Sequence, residues 1–240
     1  MHDTTSYHPA GPPTDALSTR HLVRAVRGFS CIFWGIPLAL LFMAGAVKLE
    51  ALTSVQVPSY VFGAILIYAG MMFLYHAAPA LTRWKRLARQ GLLVSLLLIY
   101  FSPLVYWWRH QPYAPYYVVN MLALVCCAVW ELFVINRIAA AMAHDLGEHV
   151  VRVEAVLCGW FALALFVVPG LPLALYAVHA SVRLEGNLYE GFTFAFLTVP
   201  RWLFALFILP FTLTMTSAWQ AKERCLNRLR EDANGDELEA

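Results

Sequence analysis

Six long runs of apolar residues, separated by short polar gaps, make up most of the chain. A helix needs about 20 apolar residues to cross roughly 30 Å of hydrocarbon, and each run is close to that length. Apolar and polar residues do not alternate within the runs, which indicates helices and not the strands of a barrel. The sequence therefore predicts an all-α fold, a polytopic membrane bundle of six transmembrane helices. The predicted spans are residues 29–47, 57–78, 91–108, 116–137, 156–178 and 200–220.

The basic residues outside the apolar runs predict how the protein is oriented. Of the 17 Lys and Arg, 13 lie before the first span, in the second gap, in or beside the fourth gap, or after the last span. Three lie in the other gaps, and Arg201 stands at the edge of the last span. Because Lys and Arg are concentrated in cytoplasmic loops, the side with 13 is predicted to be cytoplasmic. Both termini then lie in the cytoplasm, which requires an even number of spans and agrees with six.

The polar segments outside the spans divide the chain further. Residues 1–15 are polar and rich in Pro and Gly, which predicts a disordered cytoplasmic tail. Residues 16–28 place arginines on one helical face and apolar side chains on the other, which predicts an amphipathic helix at the membrane interface. The transmembrane domain is expected to cover residues 29–220. Residues 221–240 are expected to form a cytoplasmic C-terminal helix with an acidic tail.

Composition supports the lipid bilayer as the main partner of the chain. Apolar residues make up 60% of the sequence and charged residues 13%, whereas an ordinary soluble domain has roughly 45–50% and about 25%. The predicted location is the cell (inner) membrane. The net charge is only +2, and no basic cluster is interleaved with aromatic residues outside the spans. Nucleic-acid binding is therefore not predicted.

Glu131 is the most informative residue within the spans, because an ionisable group in a transmembrane helix is costly and marks a functional site by default. A short turn joins the third and fourth spans, so they are expected to be antiparallel neighbours. Each carries three polar side chains at intervals of seven and then four residues, which places each set on one face of its helix and lets the two sets face each other. They are Ser95, Ser102 and Tyr106 in the third span, and Asn120, Cys127 and Glu131 in the fourth. We predict a buried polar seam in which burial favours the neutral form of the Glu131 carboxyl. The seam would serve either as a hydrogen-bonded helix contact or as a substrate or proton pathway.

Arg201 is the other ionisable residue at a span, and it is predicted to be an interfacial anchor. It follows a proline at the start of the sixth span, where its long side chain reaches the headgroups. Along untilted helices it would lie roughly 18 Å from Glu131 in depth, so the two are not expected to form an ion pair.

A stripe of small residues in the second span predicts close helix packing. Gly63, Gly70 and Ala77 recur every seven residues, and Ser59 lies four residues before Gly63. Small residues allow another helix to approach closely, either within the chain or between copies. The sequence leaves the oligomeric state open.

Cysteine and histidine spacings predict neither a metal site nor a cofactor. The segment His144 to His149 contains acidic residues but matches neither the HExxH motif nor its inverted form. No serine-nucleophile or paired-aspartate motif is present. Enzymatic activity is therefore not favoured, although a lipid-modifying enzyme without a recognisable motif stays open.

The functional interpretation favoured by these features is a transport or permease-type subunit. It rests on six spans, prolines in the first, third, fifth and sixth of them, the polar seam at Glu131 and basic cytoplasmic segments that fit a cytoplasmic or membrane protein partner. The alternative is a structural, assembly or regulatory membrane protein without a transport cycle, which the scarcity of charge within the spans favours. An intramembrane lipid-modifying enzyme is the third hypothesis.

Overall fold

The computed structural model describes residues 19–43, 61–79, 82–111, 114–183, 190–191 and 201–239. All regular secondary structure in these residues is helical, which confirms the predicted all-α class. Six long helices follow one another along the chain. They are α1 (Thr19–Met43), α2 (Val61–Ala77), α3 (Arg83–His110), α4 (Pro115–Asp145), α5 (His149–Arg183) and α6 (Arg201–Glu239).

Four of these helices, α1, α3, α4 and α5, are long and apolar enough to cross a membrane. Helix α2 is also apolar but has 17 residues. The structure therefore defines a helical protein of the membrane type, compatible with contact to a lipid bilayer. The exact number of spans and the side on which the termini lie stay predictions from the sequence.

Helix α1 joins two segments that the sequence analysis treated separately. Residues of the predicted interfacial helix continue without a break into the first predicted span, as one helix from Thr19 to Met43. Leu22, Ala25 and Phe29 are fully buried, so the apolar face of this segment packs against other helices of the protein. The predicted disordered tail, residues 1–15, lies outside the described residues.

Local sequence features set several helix ends. The Thr82 hydroxyl accepts a hydrogen bond from the Lys85 backbone N–H at 3.3 Å and caps α3. Pro115 opens α4, where its fixed φ suits the first turn and its missing N–H is not needed. Gly147 adopts a φ of 77° between α4 and α5, a left-handed conformation that glycine reaches without steric cost. These short connections hold neighbouring helices antiparallel.

The six helices form a closed ring. Each helix packs against the next, α6 returns to α1, and α4 also contacts α6. One end of the ring, here called the basic end, carries residues such as Arg24, Arg137 and Arg152. At this end the Arg24 guanidinium donates to the His76 carbonyl at 3.4 Å, and Arg224 pairs with Glu148 at 3.2 Å.

The core is densest towards the basic end. Phe29, Trp84, Met142 and Cys225 are fully buried there in one large cluster. A smaller cluster lies in the opposite half of the bundle and is built from Phe42, Val61, Ala64, Leu98, Val105 and Leu124. Side chains therefore fill the interior of the ring near the basic end and pack less densely in the opposite half.

Cys225 gives a direct test of the packing at the basic end. Its thiol lies 3.2 Å from the Met142 sulfur, and burial raises the pKa of the Cys225 thiol to about 12. Because only the thiolate is nucleophilic, we expect maleimide to leave Cys225 unmodified near neutral pH until the protein unfolds. The measurement is mass spectrometry of a variant in which Cys225 is the only cysteine.

The matched control introduces a thiol at an exposed position of the same helix. In a cysteine-free background, Arg230→Cys places the thiol where the side chain is exposed, and it is expected to react rapidly. Equal labelling rates at the two positions would contradict the packing of α6 against α4.

Candidate functional site

The Glu131 carboxyl is deeply buried in the middle of the ring. Its side chain is 2% exposed, and neither carboxyl oxygen has a hydrogen-bond partner among the described residues. A buried polar group normally has a partner, because leaving it unpaired costs about 1–3 kcal/mol. Glu131 is thus an exception that calls for a function.

Glu131 lies in the wall of a central cavity of about 180 Å³. All six helices contribute to this wall: Ile36 on α1, Ile67 on α2, Ser102 on α3, Glu131 on α4, Phe166 on α5 and Phe211 on α6. The remaining lining residues are apolar, so Ser102 and Glu131 are the polar side chains that line the cavity. The arrangement suits a small molecule that is mostly apolar and carries one polar group able to contact a carboxyl.

The structure brings together only part of the predicted polar seam. Ser95 and Ser102 are buried, but their hydroxyls donate to carbonyls one turn back in α3, at Gly91 and Leu98. Asn120 likewise donates to a carbonyl of its own helix, at Tyr116. These donor groups therefore bond within their own helices, and none of them donates to Glu131.

The other predicted site residues are placed as follows. Cys127 and Tyr106 are half-buried, and Cys127 packs against the smaller core cluster. Gly63, Gly70 and Ala77 are buried on α2. The side chain of Arg201, the predicted interfacial anchor, and the whole of Ser59 lie outside the described part of the chain.

Gly63 and Gly70 lie where α1 and α2 come closest. A methyl group at Gly63 would stand 2.6 Å from the backbone of Ala39, and one at Gly70 would stand 2.8 Å from the Gly28 carbonyl oxygen. No side chain fits at such distances, so the small residues allow contact between backbones, as in membrane helix pairs. The packing partner of this stripe is therefore α1 of the same chain.

A second buried polar group was missed by the sequence analysis. The Asn136 amide donates to the Thr214 hydroxyl at 2.8 Å and also to the Leu132 carbonyl, which links α4 to α6 on the basic side of the cavity. Thr214 in turn donates to the Pro210 carbonyl. The signal in the sequence was weak, since Asn136 stands next to Arg137 at the end of a predicted span and reads as an interfacial residue.

We expect the Asn136–Thr214 hydrogen bond to contribute to the stability of the bundle. In a double-mutant cycle of Asn136→Leu and Thr214→Val, the coupling free energy should be about 0.5–2 kcal/mol, as for other hydrogen bonds between membrane helices. The measurement is SDS-induced unfolding from mixed micelles. Additive effects of the two substitutions would show that the contact does not hold α4 to α6.

Clusters of metal-ligating side chains were searched for in the described part of the chain. Within it, no group of three or more His, Cys, Asp or Glu side chains lies close enough together to hold a metal ion.

These observations define the class of protein: a membrane-type protein, helical throughout its described regular structure, with a mostly apolar cavity between its helices. Comparison with protein-family models, with curated proteins and with solved structures finds no match for the chain. Its function must therefore be argued from its own site.

Proposed function

We propose that the protein is a permease-type transport subunit whose central cavity takes up an amphipathic small molecule within the bilayer. The observation that carries this proposal is the unpaired Glu131 carboxyl in the wall of a cavity that all six helices line. A cavity of about 180 Å³ is somewhat larger than the engineered 150 Å³ cavity that holds a benzene molecule. A ligand group that contacts Glu131 would give the carboxyl the partner that it lacks.

Prolines beside the cavity support a transport role. Pro37, Pro103, Pro169 and Pro210 each lie inside a helix, within one turn of a residue that lines the cavity. Proline removes one backbone hydrogen bond and bends a helix, and such interruptions are tolerated where helices surround a cavity. Four helices can therefore bend at the level of the site, which a change of access from one side to the other requires.

The orientation of the protein is part of this proposal. We expect both termini in the cytoplasm, because the basic end carries most of the Lys and Arg. Fusion of alkaline phosphatase or a fluorescent protein to each terminus tests this. Fluorescence without phosphatase activity at both ends is the expected result, and phosphatase activity at either end would contradict it.

A flux assay in proteoliposomes tests the transport function. Three probes share an octyl chain and carry heads that cross lipid slowly: octyltrimethylammonium, octyl sulfate and octyl glucoside, each below its micelle-forming concentration. At least one is expected to cross faster with the protein than in empty liposomes. Ala128→Phe, which places a ring in the cavity, should abolish that increase.

The matched control is Val119→Phe, at an exposed position of the same helix that does not line the cavity. It should transport as the unmodified protein does. If none of the three probes crosses faster than in empty liposomes, the transport proposal is wrong.

A structural or assembly role is the second candidate, and one observation favours it. The hydroxyls of Ser95 and Ser102 donate within their own helix, so the described lining residues offer a polar substrate only the Glu131 carboxyl and, as an acceptor, the Ser102 oxygen. If the protein has this role, any flux measured in proteoliposomes would not depend on Glu131. The basic end would then be the surface that binds a partner protein.

A further inference from the structure

A second, larger cavity adjoins the central one. It has a volume of about 750 Å³ and lies mainly between α4 and α5. Met121, Val125, Val129 and Phe166 line both cavities, so a single layer of side chains separates them. These four side chains are therefore the shared wall of the two spaces.

The second cavity faces the surroundings of the bundle and not the basic end. Leu122 and Val125 on α4 are each 46% exposed, and Val167 on α5 is 50% exposed. Gly170, also in its wall, has no other atom within 4 Å of the position of a β-carbon. In a bilayer these surfaces meet lipid chains, so the second cavity is a lateral opening from the hydrocarbon towards Glu131.

The charge of the two cavities restricts what they can hold. Among the described residues that line the two cavities there is no Lys, Arg or His, and Glu131 carries the single carboxyl. An anionic head would find no countercharge there, and a wholly apolar molecule would leave the carboxyl unpaired. A cationic head would satisfy it, because a buried charge is tolerated when it is paired with its opposite.

We propose that the substrate is an amphipathic amine that reaches Glu131 sideways from the lipid, with its ammonium group on the carboxylate and its apolar chain in the cavity between α4 and α5. This inference rests on the proposed transport function and names the substrate class of that same site. The shared wall of the two cavities and the unpaired, buried carboxyl carry it.

Binding of such a molecule exchanges the proton on Glu131 for the ammonium group of the amine. In the empty cavity the carboxyl is neutral, because a bare charge among apolar side chains is costly. When an alkylammonium ion binds, the Glu131 proton leaves to the buffer and the carboxylate pairs with the ammonium. One proton is released for each amine bound, and no net charge enters the cavity.

Equilibrium binding in lipid nanodiscs tests the proposal. Octylammonium, 1-octanol and octanoate have the same chain length and differ in the head group. Nanodiscs without the protein serve as the control for partition of each probe into lipid. We expect octylammonium to bind above the lipid background and tighter than the other two. Proton release, measured by calorimetry in two buffers of different ionisation enthalpy, should be one per octylammonium bound.

Two variants separate the head site from the chain site. Glu131→Gln keeps the shape of the side chain but cannot release a proton, so proton release should vanish and octylammonium affinity fall by about tenfold or more. The affinity for 1-octanol should stay nearly unchanged. Gly170→Trp fills the lateral cavity and should weaken both probes, whereas Leu171→Trp, exposed on the same helix and outside both linings, should weaken neither.

The outcomes distinguish this inference from the proposed function. The amine is the wrong substrate class if octylammonium and 1-octanol bind equally without proton release, or if octanoate binds best. Either result would leave the transport function itself to be decided by the flux assay. Binding that Gly170→Trp does not change would overturn lateral access. If no probe binds more to nanodiscs with the protein than to empty ones, the whole inference is wrong. Flux of octyl sulfate or octyl glucoside in proteoliposomes would then show whether the protein transports at all.

Discussion

Replacing Gly63 with leucine is expected to separate α1 from α2 and to destabilise the bundle by about 3 kcal/mol or more. The reason is the close approach of the two backbones, since even a methyl group at Gly63 would stand 2.6 Å from the Ala39 backbone. Backbone atoms cannot rotate away as the end of a flexible side chain can, so the helices themselves must move. The measurement is SDS-induced unfolding from mixed micelles.

The same substitution at Gly170 is the matched control. No atom lies within 4 Å of a β-carbon built there, so Gly170→Leu should be neutral or slightly stabilising, because leucine favours a helix more than glycine does. Gly63→Ala, which adds one methyl group, should fall between the two. If Gly63→Leu is as stable as Gly170→Leu, the close packing of α1 on α2 is wrong.

The helices could be predicted because an apolar run of this length has few possible structures other than a helix. The first and last residues of each helix could not be predicted. Helix α3 begins at Arg83, eight residues before the predicted span, and α4 continues to Asp145, eight residues beyond its own. Hydropathy detects the apolar part of a helix, whereas capping and turn residues determine where the helix ends. Thr82 and Gly147 supply these signals locally, outside the apolar runs.

Glu131 could be identified from its sequence alone, since charge is rare within apolar runs. The cavity around it could not, because its wall combines residues from six helices, and their alignment depends on packing across the ring. The Asn136–Thr214 hydrogen bond joins positions 78 residues apart, which no local pattern reveals. Spacing alone also could not show that the Ser95 hydroxyl bonds within its own helix.

The position of the cavity within the ring bears on how the site is closed. Asn136 and Thr214 join α4 to α6 on its basic side, and the large core cluster fills the space beyond them. On the side of α4 and α5, a single layer of apolar side chains stands between Glu131 and the lateral cavity. A path through that layer meets only apolar side chains that already line a cavity, whereas a path from the basic end meets the Asn136–Thr214 hydrogen bond and the large core cluster.

Glu131→Leu is expected to abolish transport and, at the same time, to stabilise the bundle by about 1–3 kcal/mol. Leucine is similar in volume and removes two buried oxygens that have no partner among the described residues. Glu131→Gln should also abolish proton-coupled transport but should bring no such gain, because its amide stays unpaired. The two measurements are flux in proteoliposomes and SDS-induced unfolding from mixed micelles.

The opposite signs of these effects separate the two interpretations of Glu131. If its carboxyl held helices together, its removal would leave partners unsatisfied, and Glu131→Leu would unfold more readily than the unmodified protein. If it is kept for a ligand, stability rises as activity is lost, since an unpaired buried carboxyl lowers the stability of the ligand-free protein. Full transport by Glu131→Gln would rule out proton exchange at this carboxyl, because an amide cannot release a proton near neutral pH.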